Sequence, residues 1–163
     1  MWGGLSQQTI QQIMKIEICR VRECSSNLIA AFERLLPQLS SSAATPSQEY
    51  VEGLLASDNM HLFVAKMEDG AIVGMLSLVV VDIPTGRKAW IEDVVTDSSC
   101  RGCGVGKMLV ERAIEEARNA SVKRIYLTSN PSRLAAHALY RKCGFESYDT
   151  TVFRRFVGCD SVV

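Results

Sequence analysis

Apolar and polar positions alternate over Lys15–Val21 (Lys-Ile-Glu-Ile-Cys-Arg-Val), the period-two pattern of a strand with one buried face. The period then changes. Leu28, Ile29, Phe32, Leu35 and Leu36 recur at helical spacing, which predicts an amphipathic helix over Cys24 to Leu36, stopped near Pro37. After a Ser/Ala-rich link, Thr45-Pro46-Ser47-Gln48 combines an N-cap threonine, proline at the first helical position and glutamine at the third. This capping-box start predicts a second helix running to about Ala56. Leu62 to Met67 and Ile72 to Val81 are β-rich runs joined by the turn Glu68-Asp69-Gly70, and Pro84-Thr85-Gly86 turns the chain into a strand from Lys88 to Thr96.

In the second half, a strongly helical stretch from Met108 to Ala120 continues from Val105 an apolar side of Leu109, Ala113, Ile114 and Ala117, with Glu111, Arg112, Glu115, Glu116 and Arg118 on the other. A short strand (Arg124 to Thr128), a helix (Ser132 to Cys143, ended by Gly144) and a closing strand pair (Phe145 to Tyr148 and Thr151 to Val157) follow. The order β-α-α-β-β-β-α-β-α-β-β predicts an α/β (α+β) fold: a mixed, mostly antiparallel sheet of about seven strands flanked by four helices. The strand-helix-strand crossover from 89 to 128 implies a parallel pair, with a ligand-binding turn at its strand's carboxyl end. Residues 1–14 are expected to be a flexible lead-in and residues 15–163 a single domain.

Composition narrows the function classes. Lys plus Arg equals Asp plus Glu at 18 each, which gives no reason to expect a nucleic-acid or membrane partner. The N-terminus has no basic, apolar leader and no run is long enough to span a membrane, so a cytoplasmic protein is expected. The six cysteines show no disulfide framework. Cys100-x-x-Cys103 lacks a second metal-spaced pair, and no metal is expected.

The chemistry concentrates in Arg101-Gly102-Cys103-Gly104-Val105-Gly106-Lys107, three glycines within five residues between a strand and a helix. Unpaired N–H groups in a first helical turn and the positive end of the helix dipole bind anions, and glycine permits close approach. A Walker loop fails, because Arg101 stands where its first glycine belongs and Met108 where Ser or Thr belongs. A dinucleotide fingerprint begun at Gly102 fails at Lys107. What remains is Arg-x-x-Gly-x-Gly.

Ile91-Glu92-Asp93-Val94-Val95, the Arg101-x-x-Gly104-x-Gly106 loop, Asn130 and Ala138-Leu139-Tyr140-Arg141-Lys142-Cys143-Gly144-Phe145, in that order, resemble the GCN5-related N-acetyltransferase family over roughly residues 60 to 157. The resemblance implies acetyl-CoA as donor and an amine as acceptor. It implies that residues 101–107 (Arg101, Gly102, Cys103, Gly104, Val105, Gly106 and Lys107) cradle the coenzyme A pyrophosphate, and that Val94, Val95 and Thr96 pair with the pantetheine arm along a splayed strand edge. Asn130 would also reach that arm, although its place before Pro131 equally suits a turn or cap. Glu92, in the apolar setting Trp90-Ile91-Glu92, is the candidate base, with salt-bridging or cation binding as the plainer reading. Tyr140 would sit by the coenzyme sulfur and donate to the leaving thiolate, its plainer reading being a core tyrosine. The Ile-Glu-Asp-Val-Val segment is also similar to glucosamine-6-phosphate acetyltransferases, and a catalytically silent CoA-binding module is the competing class. The resemblance also allows a homodimer.

Overall fold

The structure, a computed structural model, describes residues 15–157; the lead-in expected over residues 1–14 lies outside them. Five strands form one sheet in the order β1 (Glu17–Arg20), β2 (Met60–Lys66), β3 (Ile72–Ile83), β4 (Gly86–Thr96), β5 (Ile125–Tyr126). The first four pair antiparallel, and β5 joins β4 in parallel. Four helices flank the sheet: α1 (Ser26–Leu39), α2 (Gln48–Leu55), α3 (Val105–Asn119) and α4 (Leu134–Lys142).

Period-two alternation sorts side chains into two cores. Phe63, Ala65, Leu76, Leu78, Ala89 and Ile91 pack beneath α3, which contributes Val105, Leu109, Val110, Ala113 and Ala117. On the other face, Leu62, Val64, Met75 and Val95 meet Leu28, Phe32 and Leu35 of α1 and Val51 of α2. Gly74 of β3 lets α3 approach, since a Cβ there would lie 3.0 Å from Val105 and 3.1 Å from Leu109.

Several boundaries differ from expectation. α1 runs through Pro37 to Leu39, because only the carbonyl of Glu33 loses its donor and the Ser40 N–H still reaches Leu36 O at 3.0 Å. α2 starts two residues late. Ser47 is its cap, accepting from the Tyr50 N–H at 3.2 Å, and Gln48 bonds forward to Glu52 at 2.7 Å instead of back to Thr45. The closing strand pair is absent: no strand among the described residues follows Tyr126. β5 offers only a two-residue edge as template, and Val152, Phe153, Phe156 and Val157 are exposed.

The expected polar side of α3 needs correction, because Glu116 is drawn into a cluster around His61 of β2. His61 is buried, with Nδ1 3.1 Å from Glu116 Oε1, and Arg20 and Arg112 each lie 3.0 Å from the same carboxylate. Burial alone would raise the Glu116 pKa; the bond and charge of Arg112, then the charges of Arg20 and His61, outweigh it and hold the carboxyl low. This cluster ties α3 to β1 and β2.

Candidate active site

Strand β4 carries a bulge where the sequence places its candidate base. Ser77 pairs with Glu92 and Met75 with Val95, so Leu76 alone faces both Asp93 and Val94. Asp93 takes the strained value φ 51°. The extra residue resets the alternation: Ile91 and Val94 both pack with the α3-side core, whereas Val95 belongs to the α1-side core. Glu92 is solvent-accessible beside buried Ser77. Protein packed around its carboxyl pushes the pKa above the ordinary value, and the negative charge of Asp93 pushes the same way.

Just here β4 and β5 part. Their pairing covers Ala89↔Ile125 and Trp90↔Tyr126 only, so Ile91–Thr96 has no β5 partner. The uncovered stretch contains Val94, Val95 and Thr96 and leads into the glycine loop. Trp90 stacks on Tyr126 at 5.3 Å where the strands diverge.

The loop's three glycines have two separate causes. Gly102 (φ 79°) and Gly104 (φ 84°) adopt left-handed backbone that side chains resist. Gly106 is instead a close-approach glycine, because a Cβ would meet Leu139 Cδ2 at 3.0 Å and Thr96 Oγ1 at 3.5 Å. Cys103 and Val105 anchor the loop in the core, while Arg101 is exposed and Lys107 half-buried. Gly104 caps α3 without a side-chain bond, and no acidic residue occupies the first turn. The N–H groups there face no competing carboxylate of that turn, which fits an anionic ligand such as a pyrophosphate.

The sequence reading passed over Asp97. It is buried, accepts from Ser99 N (3.0 Å) and Ser99 Oγ (2.7 Å), and takes Arg34 Nε at 2.9 Å. These bonds hold its carboxyl below the usual range: the Ser99 hydroxyl first, then the Ser99 N–H, with Arg34 adding to them against the effect of burial. The Asp-Ser-Ser string is a legible capping signal. Its partner Arg34, 63 residues away, is not.

On the opposite wall, Asn130 Oδ1 accepts from the Ser132 N–H at 2.9 Å and its hydroxyl at 2.8 Å. The turn reading therefore holds for the oxygen, since the N-cap of α4 is Arg133. Tyr140 is half-buried, edge-on to Phe145 at 6.1 Å. Burial raises its phenol pKa, Arg133 pulls the other way, and Cys143 adds to the rise. Tyr140 and His137 border a cavity of about 1010 Å³ with Trp90, Tyr126, Phe145 and Tyr148, a cavity that neither Glu92–Thr96 nor the glycine loop lines. Glu92 thus does not line the cavity that Tyr140 borders. No group of three or more His, Cys, Asp or Glu among the described residues is arranged to hold a metal.

Residues 28–145 match the family model described as the acetyltransferase (GNAT) family. An uncharacterized N-acetyltransferase of Bacillus subtilis, YhdJ, is 38% identical over 102 residues, 60% of this chain and 71% of that protein. A putative acetyltransferase from Agrobacterium tumefaciens superposes with TM-score 0.75 at 28% identity, covering 86% of this chain and 99% of that one. An aminoglycoside acetyltransferase from an uncultured soil metagenomic sample, solved with sisomicin, has the same fold at TM-score 0.78 and 20% identity, covering 90% and 98%.

Proposed function

The chain belongs to the acetyltransferase (GNAT) family, and from that premise we propose that its β4 bulge, glycine loop and Tyr140 divide the work of acetyl transfer. The reaction moves an acetyl group from acetyl-CoA to an amine. Acetyl-CoA supplies an activated thioester carbonyl. The observation that carries the assignment is the parting of β4 from β5 at Trp90, directly upstream of a helix N-terminus built from left-handed glycines.

In this reading the N–H groups of residues 102–107 hold the pyrophosphate, helped by the charges of Arg101 and Lys107. Each exposed charge–dipole contact of this kind is worth about 0.3–1 kcal/mol. Val94, Val95 and Thr96 lend their main chain to the amide-rich pantetheine arm in the manner of an added strand. Asn130, its oxygen engaged by Ser132, keeps its NH₂ for the same arm.

Glu92 is the base. An alkyl ammonium has a pKa of about 10.4 and attacks only after losing a proton, and a carboxylate with a raised pKa accepts that proton better than an ordinary one, directly or through water. Tyr140 donates to the departing thiolate, its raised pKa keeping the phenol protonated over the working range. A thiol of pKa about 8.5 leaves readily, so this contribution is smaller than that of positioning. The five cysteines among the described residues are all unpaired, which supports a reducing compartment such as the cytoplasm. No helix among the described residues is long and apolar enough to cross a membrane.

Incubation with acetyl-CoA and a panel of primary and secondary amines, following free thiol and acceptor mass, tests the proposal. Acceptor-dependent thiol release with a 42 Da gain, about the mass of an added acetyl group, is expected by the direct-attack reading. Tight CoA binding without turnover on any amine would favour a binding module.

A further inference from the structure

The two walls of the donor groove share no strand pairing beyond Trp90, yet both are tied to one helix end. Arg34 of α1 bonds Asp97, the residue that follows β4, and its second nitrogen donates to Ile72 O. One turn later Gln38 Oε1 accepts from the Ser98 N–H at 2.8 Å, while its amide NH₂ returns to Arg34 O at 3.1 Å. Asp97 caps the short 3-10 turn Ser98–Cys100 that feeds the glycine loop. Arg34 and Gln38 together therefore fix where that loop begins.

The other wall is held from the same place. Arg133, the N-cap residue of α4, donates from Nη2 to Leu39 O at 2.6 Å. Leu39 ends α1, whose last turn has no basic residue, so Arg133 brings a cation to a negative helix end and satisfies one of its free carbonyls. Arg133 is itself set by the turn at Asn130, whose carbonyl accepts the Arg133 N–H at 2.9 Å. Positions 34, 38 and 39 of one helix thus reach both sides of the groove.

We propose that the C-terminal end of α1 is a clamp that sets the width of the donor groove, with Arg34, Gln38 and Arg133 as positioning residues for coenzyme A. The proposal rests on the donor-groove reading above. None of the three need touch the ligand. They act by holding the Asp97–Ser98 corner and the Asn130–Arg133 turn at a fixed separation, so that the loop amides and the Asn130 side chain meet one ligand at once. Because one helix end joins both walls, releasing either contact loosens the whole groove.

Calorimetric titration of the full chain with CoA, paired with thermal melts, tests this. Gln38→Ala and Arg133→Ala each remove one exposed bond between α1 and a side of the groove and are expected to weaken CoA binding about threefold to tenfold, in line with single hydrogen bonds to charged or main-chain groups. The double variant is expected to be little weaker than the worse single one, since the first release already frees the groove. Arg133→Lys, which keeps a donor for Leu39 O, should recover most of the loss. Unchanged CoA affinity in every variant, with or without a lower melting temperature, would overturn the clamp. So would fully multiplicative losses in the double variant. Failure of the unaltered protein to bind CoA would instead overturn the donor-groove reading on which the clamp depends.

Discussion

The β4–α3 and β5–α4 sides of the proposed donor groove are built in opposite ways. On the β4–α3 wall, five residues of α3 are buried, two glycines are held in left-handed backbone, and Asp97 is saturated with bonds. On the β5–α4 wall, the strand is two residues long and α4 has no buried residue. The first wall presents main chain held rigidly by its core. The second presents side chains on a lightly packed helix. A substitution in the backbone of the first should therefore disturb ligand affinity and stability together, whereas one on the second, away from the Arg133 contact with α1, should be confined to the chemistry of the group removed.

Glu92→Gln gives the largest expected effect. Removing the proposed base should lower turnover at neutral pH by roughly 10²-fold or more, with partial recovery at high pH where free amine is abundant. Because burial, and then Asp93, raise the Glu92 pKa, the acid limb of the kcat/KM profile should lie above the ordinary carboxylate range, and the variant should lack that limb. A loss that is independent of pH would reassign Glu92 to acceptor binding.

Tyr140→Phe tests the lighter wall. The ring keeps its contact with Phe145, so the melting temperature and CoA affinity should hold while turnover falls by no more than about 10²-fold, the low end of general-acid assistance. Unchanged turnover under conditions where chemistry is limiting would remove Tyr140 from the mechanism.

Gly104→Ala probes the rigid wall without touching chemistry. At φ 84° an alanine costs about 1–2 kcal/mol, and both melting temperature and CoA affinity should fall. Gly106→Ala should cost less, since its closest neighbour is the movable end of the Leu139 side chain. Equal effects at the two positions would show that shape, and not backbone conformation, governs the loop.

The smallest expected effect is on acid stability. The folded pKa of Asp97 lies below its unfolded value, so its contribution is present above the unfolded pKa and is lost as pH falls through the folded one. Asp97→Asn should flatten that acid-side loss, measured by denaturant melts at falling pH. An unaltered slope would mean that other carboxylates, Glu116 first among them, carry it.

What the sequence makes legible follows the same division. The glycine loop, the β4 strand, the crossover and Tyr140's helix were readable because each rests on local rules: period, caps and left-handed glycines. The β4 bulge was not, because Glu92-Asp93-Val94 looks like regular strand and only the pairing with Ser77 and Met75 exposes the extra residue. Arg34 and Asp97 escaped for a related reason, since their bond is set by packing of α1 on the sheet. The expected closing strands failed in the other direction: Thr151–Val157 has strand-like composition, but a strand also needs an edge to pair with, and β5 supplies two residues.

Amide chemical shifts during titration with CoA test the central claim most directly. The account predicts that the largest changes fall on the N–H groups of residues 102–107 and 94–96, on the rigid wall. Shifts confined to Tyr126, Phe145 and Tyr148 around the large cavity, with the glycine loop unmoved, would contradict it.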